Sequence, residues 1–385
     1  MKILLGLSGG VDSAVSAYLL KKQGHDVVCL FMRNWDSTLN NDILGNPTLN
    51  DYICPQEQDY NDAISVAESL GLKLIRVDFI KEYWDYVFES FLSEYRLGRT
   101  PNPDILCNKY IKFDSFFNYA MDKGYDAIAM GHYAQKIVVD NKHYLAKGLD
   151  SNKDQSYFLC QMPKKALEKT LFPLGGLTKG EVRQLADELN LSIANKKDST
   201  GVCFIGERNF KQFLNNYLPS KDGNIIDINS GDIVGRHNGV LYYTIGQRKG
   251  LGIGGGSGPF VVVSKNVYTN ELYVVNINDD YWIYSNSCIV KDINLFNDID
   301  KNVSHEISCK FRYRQSDQNV ILTFLDDKTV RLDYKQKIPS VTVGQFAVFY
   351  NDNICLGGGV IDSIYIDEIN HYDLVMNKIA GRNND

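Results

Sequence analysis

No run of about 18 apolar residues occurs anywhere in the 385-residue chain, so no membrane helix and no membrane partner are expected. The first residues enter a strand pattern at once and leave no room for a secretion or transit leader, which points to a cytoplasmic setting. The eight cysteines (29, 54, 107, 160, 203, 288, 309 and 355) contain no C-x-x-C pair, which argues against a zinc knuckle or a thioredoxin-type dithiol. Without a secretion signal most of them read as reduced thiols. A net charge of −6 excludes a wholly basic nucleic-acid binder and leaves a local basic groove open. No internal repeat is visible, and the length asks for two or three domains.

The common phosphate-binding signatures are missing too. There is no G-x-x-x-x-G-K-[ST], and the first turn has no G-x-G-x-x-G. What stands there is Gly6-Leu7-Ser8-Gly9-Gly10-Val11-Asp12-Ser13, with no lysine in it. Ahead of it, Lys2 to Leu7 reads as a buried strand. Beyond it, Val15, Tyr18 and Leu19 follow helical spacing up to Gly24. Small side chains at a helix N-terminus leave unpaired amides and the positive end of the macrodipole facing an anion. S-G-G-x-D-S resembles the PP-loop of the ATP pyrophosphatases, which cleave ATP between the α and β phosphates and adenylate an oxygen. An ordinary Gly-rich turn is the bland alternative.

Further strands are expected at Val27–Met32, Leu72–Val77 and Asp126–Met130, with helices at Asp59–Leu70 and Tyr83–Tyr95 between them. This alternation describes an α/β doubly wound parallel sheet, whose ligands bind past the carboxyl ends of the strands. The turn at 8–13, Met32 and Gly131-His132 then surround one crevice, although Met32 serves equally well as core. Arg33 to Pro55 reads as a long polar loop. A hairpin spans Ile137–Val139 and Tyr144–Lys147, and helices are expected at Lys164–Leu171 and Lys179–Asn190. From Gly206 the texture turns to short strands, at Gly223–Thr244 and Phe260–Ile277, separated by a Gly250–Gly258 loop expected to be mobile. From Asp280 it is nearly all β (Ser287–Val290, Ser308–Tyr313, Val320–Leu325, Thr329–Leu332, Gln345–Tyr350, Ile354–Ile361), as in a small barrel or sandwich. The polar end, Asn377–Asp385, is expected to fray.

Two segments set a cysteine among polar residues. Gly98 to Lys109 (GRTPNPDILCNK) is a two-proline turn opening a helix, and Asp104 and Cys107, three apart, share a face if the helix begins at Asp104. A carboxylate that handles protons beside a nucleophilic thiol suits covalent chemistry, and Arg99 and Lys109 could lower the thiol's pKa. The second, Lys196 to Gly206 (KKDSTGVCFIG), carries Cys203. Taken singly, either cysteine reads more simply as a buried structural residue; taken together they make a redox pair. Cys29, inside a strand, reads as core.

SGGVDS at 8–13, FMRNW at 31–35, GRTPNPDILCNKYIKF at 98–113, GHY at 131–133, GLDSNKDQSYFL at 148–159, KKDSTGVCFIGER at 196–208, TIGQRKGLGIGG at 244–255, FRYRQ at 311–315, and GQFAVFYN with CLGGG near the end resemble, in order, the tRNA-specific 2-thiouridylases. The resemblance runs to about residue 362. It implies a PP-loop (adenine nucleotide alpha hydrolase-like) catalytic domain over 1–205, a small central β-rich domain over 206–279, and a C-terminal antiparallel β-barrel with a polar tail over 280–385. It further implies ATP on Gly6, Leu7, Ser8, Gly9, Gly10, Val11, Asp12, Ser13, Met32 and Gly131, accompanied by Mg²⁺ with no assigned protein ligand. Cys203 would carry a persulfide from a cysteine desulfurase or relay protein. Cys107 would be its partner, through a transient Cys107–Cys203 disulfide, and Asp104 the acid/base. Asn102, Pro103 and Asp104 would meet the flipped wobble uridine of the tRNA, and His132, Lys153, Asp154, Gln155, Arg312, Tyr313 and Gln345 would touch the rest of the RNA. Taken alone, FRYRQ reads as a strand with solvated charges, although its cations and ring suit single-stranded RNA. A monomer is expected. Two other classes remain: a pyrophosphatase adenylating a small metabolite, and an RNA binder whose nucleotide loop only stabilises the fold.

Overall fold

The computed structural model describes residues 1–49, 55–198, 201, 205, 208–254, 259–279 and 281–382. Its first sheet is parallel, in the spatial order Lys73–Asp78, Asp26–Arg33, Lys2–Gly6, Ala127–Ala129, Thr170–Leu171. Alternation along the central strand divides the core in two. Ile3, Leu5 and Leu7 join the cluster of the helices Val11–Lys22, Pro55–Ser69 and Lys179–Glu188, while Leu4 joins Ile111 and Phe116 on the other side. Ile3, Leu4 and Leu5 are wholly buried, each worth roughly 1.5–3 kcal/mol. Cys29 lies in the same core, and burial pushes its thiol up to about 12.

After Lys2–Gly6 the chain builds outward to Lys73–Asp78 and then crosses to the other side, at Ala127–Ala129. The turns after Lys2–Gly6 and Ala127–Ala129 therefore flank the point where the winding reverses, the place such sheets reserve for ligands.

A second sheet orders Phe260–Asn266, Glu271–Asn276, Gly223–Asp227 and Ile233–His237. The third closes on itself: Tyr284–Leu295, Val330–Pro339, Gln318–Phe324, His305–Lys310, Phe346–Asn351 and Ile354–Ile366 return to Tyr284–Leu295 as an antiparallel six-strand barrel. The hairpin Ala134–Val139/Lys142–Lys147 leaves the first sheet and pairs with the barrel at Ala146↔Ile354 and Leu145↔Cys355. Among the described residues no helix is long and apolar enough to cross a membrane.

Several expectations need correction. Lys164–Glu168 is helical but Thr170–Leu171 is a strand, because pairing with Ala127–Ala129 extends the sheet, the Leu171 carbonyl accepting from the Met130 amide (3.1 Å). The strand expected to reach Tyr313 stops at Lys310, and Phe311–Arg314 turn, with Arg314 at φ +62°. Asn377 to Arg382 is not frayed: it completes the helix His371–Arg382, whose Val375 is buried against Val261, Tyr273 and Trp282. The loop after Arg33 is ordered in turns up to residue 49 and is tied by a buried Asp42–Arg208 ion pair (2.8 Å) to the segment entering the helix Phe210–Asn215. Gly255–Gly258, part of the glycine-rich loop, lies outside the described residues.

Candidate active site

Only small residues precede the helix N-terminus at Val11. Gly10 occupies the cap position without a side-chain hydrogen bond, so no side chain of the cap competes with a ligand for the first amides. Ser13 Oγ donates to the Gly10 carbonyl (3.0 Å) and accepts from the Ser8 amide (3.1 Å), which draws the loop into a cup. Gly9 has φ +74°, and a Cβ there would overlap the carbonyl of Asp59. Gly131, after the neighbouring strand, faces the same turn: a Cβ would lie 3.1 Å from Asp12 C and Ser13 N. Met32 is nearly buried, its methyl packed by Gly6. The structure thus brings Gly6 to Ser13, Met32 and Gly131 together.

Charges that the sequence left unassigned converge on this cup. Lys196 Nζ reaches the Gly9 carbonyl (3.1 Å), Asp59 (2.7 Å) and Asp62 (2.6 Å). Lys179 Nζ binds both oxygens of Asp12 (2.8 and 3.0 Å) and Asp198 (2.7 Å). Tyr133 Oη also donates to Asp12 (2.8 Å). Burial and then the Asp12 carboxylate hold this phenol far above its usual range, so it remains a neutral donor. Asp198 accepts from Lys153 (2.7 Å) and Arg183 (3.1 Å) as well. Burial lifts its carboxyl, but the two lysines outweigh burial and set it at about 2. Only the long-range fold joins these residues, and no sequence motif advertised Lys179.

In the two-proline loop, Asn102 caps the turn Pro103–Leu106 by accepting from the Ile105 amide (3.3 Å), with Pro103 in the first helical position. The helix thus starts one residue before Asp104. Cys107 follows, fully buried, where the helix widens into a π-type stretch, Cys107–Ser115. Arg99 pairs with Asp362 (3.0 Å), and Lys109 bonds Gln161 (3.1 Å). Cys203 lies outside the described residues. Ile205, two residues on, belongs to the same buried cluster as Cys107.

Apart from Lys153, which the structure places on Asp198 at the cup, and the buried His132, the residues assigned to RNA form two groups. Asn102 Nδ2 donates to Gln345 Oε1 (3.4 Å), joining the two-proline loop to the barrel. A cavity of about 620 Å³ opens beside them, walled by Arg99, Lys109, Lys291 and Asp362. The second group gathers at the turn Ser156–Leu159. Tyr313 packs on Phe158 (4.5 Å between rings) with the Arg314 guanidinium over its other side, and Arg312 is exposed. Tyr157 Oη donates to the Phe346 carbonyl (3.1 Å), next to Gln345, and so connects the groups. Gln155 Oε1 accepts from the Tyr133 amide (3.0 Å). Asp154 is buried and engaged by the amides of Gly148 (3.0 Å) and Ser156 (3.1 Å) and by Ser156 Oγ (2.9 Å). His132 is buried between Phe113 and Phe172; desolvation, aided by Lys112, holds its pKa well below 6.5, and Nδ1 has no hydrogen-bond partner.

Three family models match the chain in succession: a tRNA methyl transferase HUP domain over residues 1–207, a tRNA methyl transferase PRC-barrel domain over 211–276, and an aminomethyltransferase beta-barrel domain over 285–361. A tRNA-specific 2-thiouridylase MnmA of Mycoplasma capricolum subsp. capricolum is 57% identical over 94% of this chain and 99% of its own. One from Mycoplasma mycoides subsp. mycoides is 56% identical over 94% and 99%, and one from Staphylococcus carnosus 49% over 94% and 96%. Among solved structures, a 4-thiouridine synthetase–RNA complex with bound ATP overlaps 55% of this chain and 50% of its own, at 13% identity and TM-score 0.32, too loosely to carry an argument.

Proposed function

Since the chain belongs to the family of the tRNA-specific 2-thiouridylases, we propose that it is a tRNA-uridine 2-sulfurtransferase that uses ATP to replace the C2 oxygen of an anticodon wobble uridine by sulfur. The observation that carries the reading is that Met32 and Met130, which pack by Gly6 at the foot of the 8–13 loop, share one buried cluster with Cys107, while the barrel bears an exposed Arg312 beside Tyr313. The methyl-transfer wording of the family models has no comparable support from these residues.

In this reading the amides of the 8–13 loop orient the phosphates, and the C2 oxygen attacks the α-phosphorus with loss of pyrophosphate. The terminal sulfur of a Cys203 persulfide then attacks C2, and AMP leaves with the former carbonyl oxygen. Cys107 thiolate attacks the Cys203 sulfur, breaks the S–S bond and leaves C2=S and a Cys107–Cys203 disulfide, which an external thiol reduces. Asp104, one helical turn before Cys107, takes and returns the proton. The sulfur donor is a cysteine desulfurase or relay protein. Mg²⁺ is proposed to accompany the nucleotide, neutralising phosphate charge from phosphate oxygens and water.

The test incubates protein with tRNA, ATP, Mg²⁺, a cysteine desulfurase and cysteine, with nucleoside mass spectrometry as readout. The expected result is 2-thiouridine and stoichiometric AMP, with Cys107→Ser and Cys203→Ser abolishing 2-thiouridine while pyrophosphate release persists. Pyrophosphate release stimulated by a small metabolite and untouched by both variants would replace this reading with the metabolite-adenylating one.

A further inference from the structure

A triphosphate brings several negative charges to a loop that holds no cation of its own. Two ammonium groups reach the loop from distant parts of the chain, and their surroundings separate them. Lys196 is opposed by two carboxylates, Asp59 and Asp62, so its group carries surplus negative charge. Around Lys179 the balance is reversed: Lys179, Lys153 and Arg183 face Asp12 and Asp198. Asp150 lies nearby, but it accepts from the backbone amides of Lys179 (2.9 Å) and Asn152 (3.0 Å), and no ion pair to those cations is formed.

Lys179 is also the ammonium that can change partners without stranding a carboxylate. Asp198 keeps Lys153 and Arg183, and Asp12 keeps the Tyr133 hydroxyl. Its backbone is rigid. Lys179 opens the helix Lys179–Glu188 behind a complete capping box between Thr178 and Glu181. The side chain is 12% exposed and packs over the Tyr133 ring (5.9 Å).

We propose that Lys179 is the residue that binds the phosphate chain of ATP at the 8–13 loop, exchanging its bond to Asp198 for one to a phosphate oxygen. This rests on the nucleotide-activating reading above. Lys196, in contrast, is a fixed tie between the loop and the helix Pro55–Ser69.

The experiment compares full-length wild type with Lys179→Gln, Lys179→Arg and Asp198→Asn. It measures KM for ATP and kcat for pyrophosphate release with tRNA present, tRNA affinity, and the rise in melting temperature that ATP produces. Lys179→Gln is expected to raise KM for ATP about tenfold or more and to lose the ATP-induced rise, with tRNA affinity unchanged. Lys179→Arg should recover most of both. Asp198→Asn, which leaves the ammonium in place with fewer competitors, should hold or lower KM for ATP. An unchanged KM in Lys179→Gln, or an equal rise of KM in Asp198→Asn, overturns the inference, the second because it makes network integrity the cause. If wild type itself releases no pyrophosphate, the nucleotide-activating reading falls first; if wild type does and Lys179→Gln matches it, only the assignment of Lys179 falls.

Discussion

The Gln345 carboxamide holds the backbone of Thr100: its Nε2 donates to the carbonyls of Thr100 (2.8 Å) and Pro101 (3.1 Å), while the Thr100 amide donates to Val343 (3.0 Å). A barrel residue thus fixes the loop that ends in Asp104 and Cys107. Gln345→Ala is expected to cost about 1 kcal/mol, since two part-buried carbonyls lose their donor. It should lower kcat/KM for tRNA more than the AMP-forming capacity at saturating tRNA. Urea unfolding and steady-state thiolation check the two parts.

Gly9 and Gly10 should differ sharply although they are neighbours. Gly9→Ala places a Cβ on the Asp59 carbonyl at φ +74°, whereas at Gly10 the nearest atom to a new Cβ is Ser8 Oγ at 3.5 Å, an ordinary contact. Gly9→Ala should abolish ATP-dependent pyrophosphate release and lower the melting temperature. Gly10→Ala should keep the fold, which circular dichroism and a pyrophosphate assay will separate.

Asp42 and Arg208 form a buried pair, 0% and 7% exposed at the side chain, that also accepts the Trp35 indole N–H (3.1 Å). Asp42→Ala removes the shared acceptor of the buried Arg208 guanidinium and the Trp35 indole and should destabilise by about 1–3 kcal/mol. The double change Asp42→Leu with Arg208→Met should recover most of that loss, as equilibrium denaturation of the three proteins would reveal.

Asp198 titrates at about 2 in the folded chain against the ordinary 3.8. A depressed folded value contributes stability above the unfolded pKa, and that contribution disappears as pH falls through the folded one. Asp198→Asn should therefore be less stable than wild type at neutral pH, with the gap closing between pH 4 and pH 2. Screening by water keeps the gap modest, because the side chain is 38% exposed. Denaturation midpoints across that range measure it. A gap at pH 2 as large as at neutral pH contradicts the linkage.

Much of the framework was legible from local patterns. The strand before Leu7 and the helix after Asp12 follow from period and turn chemistry, which depend on neighbours in the chain. The barrel strands were found for the same reason, although Tyr284–Leu295, Val330–Pro339 and Ile354–Ile366 run well past the expected ends at Val290, Leu332 and Ile361. Thr170–Leu171 and the C-terminal helix His371–Arg382 were misread because pairing and packing partners far along the chain outweigh weak local preferences.

By itself the order of residues determined the phosphate-ready turn and the two-proline cap at Asn102, because each is a property of a few consecutive side chains. Tertiary structure alone decided that Lys179 and Lys196 stand at that turn, that Gln345 grips Thr100, and that Asp154 is sealed inside. Coulombic and hydrogen-bond partners are set by distance in space, and residues 12 and 179 become neighbours only when the helices Val11–Lys22 and Lys179–Glu188 pack on the same face of the sheet.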